Sequence, residues 1–242
     1  MKDSVIFGLN RTGVQMSPRL TKEMISGADE FQSPSLDTSM TTAQFKEDVI
    51  RECGPIGTVP VPGTAKGALN VGVHMLRQDH PVVLIDKLGE RLAFERTGVR
   101  LYDALITKCE ALMPHISLDL LYEFRREESE HFHLVWETLE KLGADPTCQT
   151  PCADVSAMAS QGLVQVLNDP RTSVAQCVQS LVIAERTDND SWELLILLAE
   201  QAGLDEEVQK FKVAKSAEEK HFLYIHRWFQ QLTLNNGGVP LQ

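Results

Sequence analysis

The chain has 242 residues, of which 34 are acidic and 23 are basic, so its formal net charge is −11 near neutral pH. This length suffices for one large domain or two small ones. The negative charge disfavours nucleic acid and anionic membrane surfaces as partners, and no stretch approaches the roughly 18 apolar residues of a membrane-spanning helix.

The five cysteines follow no paired spacing, and an odd number leaves at least one thiol unpaired. They are Cys53, Cys109, Cys148, Cys152 and Cys177. The N-terminus also lacks the long apolar run of a signal peptide. Both features predict a cytoplasmic protein with free thiols.

Residues 1–78 differ in composition from the rest of the chain, with Gly, Pro, Ser and Thr at short intervals. Brief helical patterns occur only around Thr42–Glu52 and Lys66–Arg77. We expect an N-terminal arm with short helices that lies on the remaining domain or on a neighbouring subunit. Residues 235–242 are predicted to be a flexible tail.

From Pro81 onward, apolar residues recur at steps of three and four, which indicates long amphipathic helices. Each helix thus carries one row of core-facing residues, here called a seam. The four seams run from Leu84 to Ile106, Leu121 to Leu139, Val178 to Ile196 and Phe211 to Leu232. The fold class predicted for residues 79–234 is therefore all-α, a four-helix bundle.

The four seams contain an internal duplication. A Glu-Arg-Thr triplet occurs at residues 95–97 and again at 185–187, and a Glu-x-x-His motif occurs at 128–131 and again at 218–221. Each motif is therefore shifted by 90 residues. The repeat places six polar residues on core seams: Glu95, Glu128, His131, Glu185, Glu218 and His221.

Charged groups on core seams are costly unless they are paired or bind a metal. Glu and His three residues apart lie on one face of a helix, so both can reach the same ion. Four Glu and two His on facing helices are the ligands of a two-metal carboxylate site. The alternative is a buried charge cluster that bridges the helices. A third motif, Glu130 with His133, faces the other side of its helix and is predicted to lie on the surface.

The rise per residue is the same in both helices of an antiparallel pair. Two glutamates on such a pair therefore lie at the same height along the bundle only if the connecting turn is midway between them in the sequence. This predicts a turn near residues 111–112, with Pro114 at the start of the second helix. It predicts another near 201–202, with Gly203 as a helix C-cap. The stretch from 143 to 172 is too long for a turn and predicts a crossover that makes the second and third helices parallel, with a short helix at 155–167.

The order of these motifs resembles the ferritin-like di-iron carboxylate superfamily, and Glu95-x6-Tyr102 resembles its rubrerythrin and bacterioferritin branch. The resemblance covers roughly residues 80–234. It implies that Glu95 and Glu185 are terminal ligands, that Glu128 and Glu218 bridge, and that each metal takes one imidazole. It also implies that Tyr102 hydrogen-bonds a ligand carboxylate. The second-half counterpart of Tyr102 is Trp192, and the chain lacks a rubredoxin centre.

Oxygen-rich ligation favours two metal ions per chain, iron first and manganese as the alternative. The expected function is an oxidoreductase that reacts with dioxygen or peroxide and acts on a small organic substrate, or only reduces the oxidant. The alternative is a ferroxidase that feeds iron storage. The all-round apolar stretch from Leu194 to Ala199 indicates burial in the crossover or in a dimer interface, and we expect a homodimer.

Overall fold

The structure, a computed structural model, describes residues 17–30, 41–60 and 81–234. Within these ranges the chain forms seven α-helices and no strand, so the all-α prediction is confirmed. The helical pattern at Lys66–Arg77 and the tail at 235–242 lie outside the described residues. No helix in the described part of the chain is both long and apolar enough to cross a membrane.

The chain divides into two units, one of which ends at Ile56. Its described part contains α1 (Pro18–Glu30) and α2 (Thr42–Glu52). Helix α2 covers the range that the sequence pattern predicts and begins with a capping box between Thr41 and Gln44. Helix α1 lies where the sequence pattern predicts no helix. Neither helix has a buried residue.

The second unit begins at Gly57 and contains five longer helices. They are α3 (Pro81–Leu112), α4 (Asp119–Lys141), α5 (Pro151–Asn168), α6 (Val174–Gln201) and α7 (Asp205–Leu234). Helix α3 packs against α4, α5 and α6, while α7 packs against α6 and α4. The four seams predicted from the sequence lie on α3, α4, α6 and α7.

Two apolar clusters form the core of this unit, and each takes one half of α3, α4, α6 and α7. The first cluster, with Leu105, Phe124 and Trp228, uses the C-terminal halves of α3 and α7 and the N-terminal halves of α4 and α6. The second cluster, with Leu88 and Phe211, uses the opposite halves. Burial of each large apolar side chain contributes about 1.5–3 kcal/mol, so the clusters can stabilise the fold on both sides of a polar layer.

The turn after α6 agrees with the prediction from the sequence, whereas the turn after α3 differs from it. Gly203 follows the last turn of α6 with φ of 68°, as predicted for a helix C-cap. The prediction that Pro114 starts the second helix is wrong, because α4 begins only at Asp119. Proline disfavours the helical conformation at Met113, so α3 ends at Leu112 and a loop follows.

Helix α5 is longer than the short helix predicted at 155–167, and it is fixed to α3 at its N-terminus. The Thr150 hydroxyl donates to the Asp86 carbonyl oxygen at 3.1 Å, and the Cys152 N–H donates to the Asp86 carboxylate at 2.9 Å. Gly89 permits this approach, since a Cβ there would lie 2.5 Å from the Thr150 hydroxyl.

Candidate metal centre

A layer of buried polar side chains lies between the two apolar clusters along each of four helices. It contains all six residues predicted as metal ligands: Glu95 in α3, Glu128 and His131 in α4, Glu185 in α6, and Glu218 and His221 in α7. Each of the six is at most 7% exposed. The helical spacing that builds the core therefore also directs these side chains inward.

The six side chains form two groups that share one carboxylate. The first group is Glu128, Glu185, Glu218 and His221, and the second is Glu95, His131 and Glu218. Within each group, one ligand atom per residue lies within 4.8 Å of all the others. Of the two glutamates that the resemblance implies as bridging, Glu218 belongs to both groups and Glu128 to the first group only.

Both imidazoles direct Nδ1 at the carboxylates. The Nδ1 atom of His131 lies 2.6 Å from Oε1 of Glu218. The Nδ1 atom of His221 lies 3.1 Å from Oε2 of Glu218 and 3.5 Å from Oε1 of Glu128. Each oxygen of Glu218 thus faces a different imidazole, which is the placement needed for one carboxylate to serve two cations.

Several carboxylate oxygens in this layer are buried without a hydrogen bond to any described residue. They are both oxygens of Glu95 and of Glu128, Oε2 of Glu185 and Oε1 of Glu218. An ionised carboxylate that is buried and unpaired costs several kcal/mol. A cation bound between these oxygens would remove that cost, so the donor set fits a metal site.

Without a metal, the environment favours the protonated form of three of these four carboxyl groups. Burial raises the pKa of Glu128 well above its usual range, and the negative charge of Glu218 adds to the effect. Burial also raises the pKa of Glu185 to about 8, although the charge of His221 opposes the shift. The pKa of Glu95 rises for the same reason, despite an adjacent Arg91.

Glu218 behaves differently because it lies between the two imidazoles. Burial opposes its ionisation, but His131 and His221 together lower its pKa below the ordinary value. Burial alone would lower the pKa of His221, yet Glu128 and Glu218 raise it to about 12. In the metal-free state, protons on the imidazoles therefore supply part of the positive charge that cations would supply.

Arg91 and Asp188 are buried in the same layer, and sequence reasoning missed both. The Nε atom of Arg91 lies 2.9 Å from Oε1 of Glu95, without the alignment of a hydrogen bond, and its Nη2 donates to Oδ1 of Asp188. Each is 1% exposed. The available signal was helical spacing, since Arg91 precedes Glu95 by four residues and Asp188 follows Glu185 by three.

Glu127 holds the outer edge of one imidazole. Its Oε2 atom lies 2.7 Å from Nε2 of His221, on the ring edge opposite Nδ1. A carboxylate on the second nitrogen of a metal-binding imidazole fixes its tautomer and orientation. Glu127 directly precedes a predicted ligand, and nothing in its spacing distinguishes it from a surface glutamate.

Tyr102 and Trp192, which occupy matching positions in the two halves, flank the layer. The Tyr102 hydroxyl donates to Oε1 of Glu185 at 2.5 Å, and the ring is fully buried. Burial and the charge of Glu185 raise the pKa of Tyr102 well above its usual range, so it remains a neutral donor. Trp192 packs edge-on to His131, with ring centroids 5.6 Å apart.

The third Glu-x-x-His motif lies on the surface, as predicted. Glu130 and His133 are both exposed. Glu130 pairs with Arg126, and Nδ1 of His133 lies 2.6 Å from the carbonyl oxygen of Ser129. Helical register alone separates this pair from the buried motif that begins two residues earlier.

A cavity of about 40 Å³ adjoins the layer. Its lining includes Arg91, Phe94, Thr187 and Ser191. The Nη1 atom of Arg91 is buried and has no hydrogen-bond partner within the described ranges. A space of this size holds about one water molecule, so it can admit only a molecule with very few atoms.

Comparison with models of protein families, with curated proteins and with solved structures gives no significant match to this chain. Inferences about its function therefore rest on the geometry and chemistry of its own residues.

Proposed function

We propose that residues 79–234 form a ferritin-like four-helix bundle with a long crossover, in which α5 is part of the connection between α4 and α6. The composition of the two apolar clusters supports this arrangement. Helices α4 and α6 contribute their N-terminal halves to one cluster and their C-terminal halves to the other, as parallel helices would. Helices α3 and α7 contribute the opposite halves, as antiparallel partners would.

We propose that the polar layer of this bundle binds two metal ions. The observation that carries the proposal is the pair of buried ligand groups around Glu218, in which several carboxylate oxygens make no hydrogen bond to a described residue. The charge of the layer agrees with two divalent ions. Its five carboxylates and one guanidinium leave four negative charges when both imidazoles are neutral ligands. Hard oxygen donors with two nitrogens favour iron, with manganese as the alternative.

The function that this centre supports best is that of an oxidoreductase acting with dioxygen or peroxide. A pair of iron or manganese ions can supply two electrons to such an oxidant. The protein residues hold the site in place: Tyr102 donates to Glu185, Glu127 orients His221, and Arg91 contacts Glu95. The small cavity beside Arg91 has the size for a diatomic molecule, but none of the six candidate ligands lines it.

We also propose a homodimer in the cytoplasm. Leu194 and Leu197 are 41% and 52% exposed on α6, and a second copy could cover them. All five cysteines are free, and two of them, Cys109 and Cys177, are buried in the first apolar cluster. Free thiols are typical of a reducing compartment.

Metal content of ligand variants tests the centre. The metal-free protein is titrated with iron(II) under anaerobic conditions, and two ions per chain are expected. Glu128→Ala and His221→Ala should each reduce this to one ion or none while the helices persist, because the apolar clusters remain packed. Glu130→Ala and His133→Ala are the matched controls, since they make the same changes on the exposed face. Full occupancy in both ligand variants would show that the metals bind elsewhere.

Aerobic loading separates the oxidoreductase from a storage protein. An oxidoreductase should consume dioxygen after iron(II) addition and retain only two ions per chain. Light scattering should show that it forms a small assembly. A closed shell of many subunits that accumulates iron far above this ratio would support the storage alternative instead.

A further inference from the structure

The internal duplication permits a direct comparison of the two halves of the centre. Each ligand has a counterpart of the same type 90 residues away, as with His131 and His221. Any difference in metal binding must therefore come from the side chains around the ligands and from how the ligands are grouped.

The two imidazoles differ on the edge that faces away from the carboxylates. Nε2 of His221 is held by Glu127 at 2.7 Å. The residue that matches Glu127 in the duplication is Ala217, whose methyl group cannot hydrogen-bond to His131. Nε2 of His131 has no hydrogen-bond partner among the described residues. One imidazole is thus fixed for metal binding and the other is not.

The two terminal carboxylates also differ in their neighbours. Glu185 accepts a hydrogen bond from the neutral Tyr102. Glu95 instead lies beside the guanidinium of Arg91, a cation that competes with a metal for the same oxygens. The position that matches Arg91 is Leu181, so no such cation stands beside Glu185 in the same place. Asp188 offsets the charge of Arg91 but does not remove it from Glu95.

The ligand groups are unequal in size as well. The group with His221 has four residues, including Glu128 and Glu185, whereas the group with His131 has three. More donors of suitable type favour tighter binding.

We infer that the two metal positions load in sequence: the position at His221 binds first and more tightly, and Glu127 is the positioning residue that sets this order. This inference rests on the proposed di-metal function. A single metal ion added per chain fills the His221 position and leaves the His131 position empty.

Manganese(II) is the probe. Its binding to the metal-free chain is measured by calorimetry and by electron paramagnetic resonance. Two binding steps of one ion each are expected, with affinities at least about tenfold apart. At one ion per chain the spectrum should be that of isolated manganese, and the signal of a coupled pair should develop only with the second ion. A coupled signal that grows in proportion from the first addition overturns the inference.

Three variants show which binding step belongs to which metal position. Glu127→Gln should weaken binding at the His221 position about 10- to 100-fold and leave the His131 position unchanged, so the two affinities should converge or exchange order. Ala217→Glu supplies the missing carboxylate to His131 and should strengthen the second step. Glu130→Gln makes the same charge change as Glu127→Gln on the exposed face of α4 and should change neither step. Circular dichroism confirms that each variant is helical, and the Ala217→Glu result decides alone if Glu127→Gln does not fold.

The outcomes distinguish this inference from the proposed function. Two equal and tight steps keep the di-metal centre but overturn the unequal loading. An unchanged first step in Glu127→Gln, or an effect on the second step only, also overturns it. If the unmodified chain binds no manganese(II) and no iron(II), the proposed function itself fails.

Discussion

Gly98 faces the carboxylate of Glu128 across the contact between α3 and α4. A Cβ at this position would lie 2.1 Å from Oε2 of Glu128, so the carboxylate must move in Gly98→Ala. The displaced atom is the end of a flexible side chain, and we expect a loss of stability of only about 1–3 kcal/mol. Metal affinity should fall by at least about tenfold, because the displaced group is one of the proposed ligands. Anaerobic iron(II) titration and urea denaturation measure the two effects.

Gly162→Ala is the matched control for this substitution. Gly162 lies within α5, and a Cβ there would meet no atom within 4 Å. Alanine should therefore stabilise the metal-free protein by about 0.4–1 kcal/mol and leave metal binding unchanged. If Gly98→Ala binds iron(II) as tightly as the unmodified chain, the carboxylate of Glu128 is not a ligand.

At the scale of single residues, the internal duplication determined which residues of the candidate site could be predicted from the sequence. The six candidate ligands were identified because both halves carry them in one register. Arg91, Asp188 and Glu127 occur once each, and the duplication replaces them with Leu181, Gly98 and Ala217. Each residue that was missed thus lies at a position where the two halves differ. A buried charge that has no repeat can be recognised only from the contacts of the folded chain.

Thr150 both caps the N-terminus of helix α5 and makes one of the two hydrogen bonds that attach this end of the helix to Asp86 of α3. The Thr150 hydroxyl accepts a hydrogen bond from the Ala153 N–H at 3.3 Å and donates to the Asp86 carbonyl oxygen at 3.1 Å. Thr150→Ala removes both bonds, and we expect it to destabilise the protein by about 2 kcal/mol, the upper part of the range for N-caps. Urea denaturation of the metal-free protein measures the loss.

Ser173→Ala gives the comparison for Thr150→Ala. Ser173 caps α6 through a box with Gln176, and both partners belong to that one helix. Its removal should cost about 0.5–1 kcal/mol. Equal losses in the two variants would show that the bond from Thr150 to Asp86 contributes nothing to the attachment of α5.

At the scale of elements, local rules predicted helix ends only where a single residue type determines the backbone. Gly203 adopts a positive φ, which glycine tolerates, and the predicted cap was confirmed. Pro114 is compatible with both a helix start and a loop, and the structure places it in the loop before α4. The full length of α5 depends on Asp86, which is more than 60 residues from Thr150 in sequence and carries no local signal.

The whole molecule carries an excess of negative charge, and its metal-free stability should depend on pH. The folded-state pKa of Glu185 is about 8 against an ordinary value of 4.5. Its contribution to stability is therefore present below pH 4.5 and is lost as pH rises through about 8. Glu128 and Asp188, whose pKa values burial also raises, act in the same direction. Glu218, whose pKa is lowered, contributes stability that is lost only in acid, below its ordinary value of 4.5.

The imidazoles act in the same direction as the protonated glutamates. The folded-state pKa of His221 is about 12 against an ordinary value of 6.5, so its contribution is present below pH 6.5 and is lost as pH rises toward 12. One carboxyl group shifted like Glu185 changes the free energy of unfolding by about 3 kcal/mol between about pH 5.5 and about pH 8. Without metal, the protein should be less stable at the higher pH.

Metal should reverse this loss, which separates a metal centre from a balanced charge cluster. Manganese(II) replaces the protons on the buried carboxyl groups, so it binds most tightly where those protons leave most easily. At a free concentration about 100 times the dissociation constant, each site stabilises the fold by about 2.7 kcal/mol. Melting curves of chelator-treated protein at about pH 5.5 and about pH 8, with and without manganese(II), should show a rise in Tm that is larger at the higher pH. A self-balanced network of ion pairs has no charge for the metal to offset, so an unchanged Tm at both pH values would reject the metal centre.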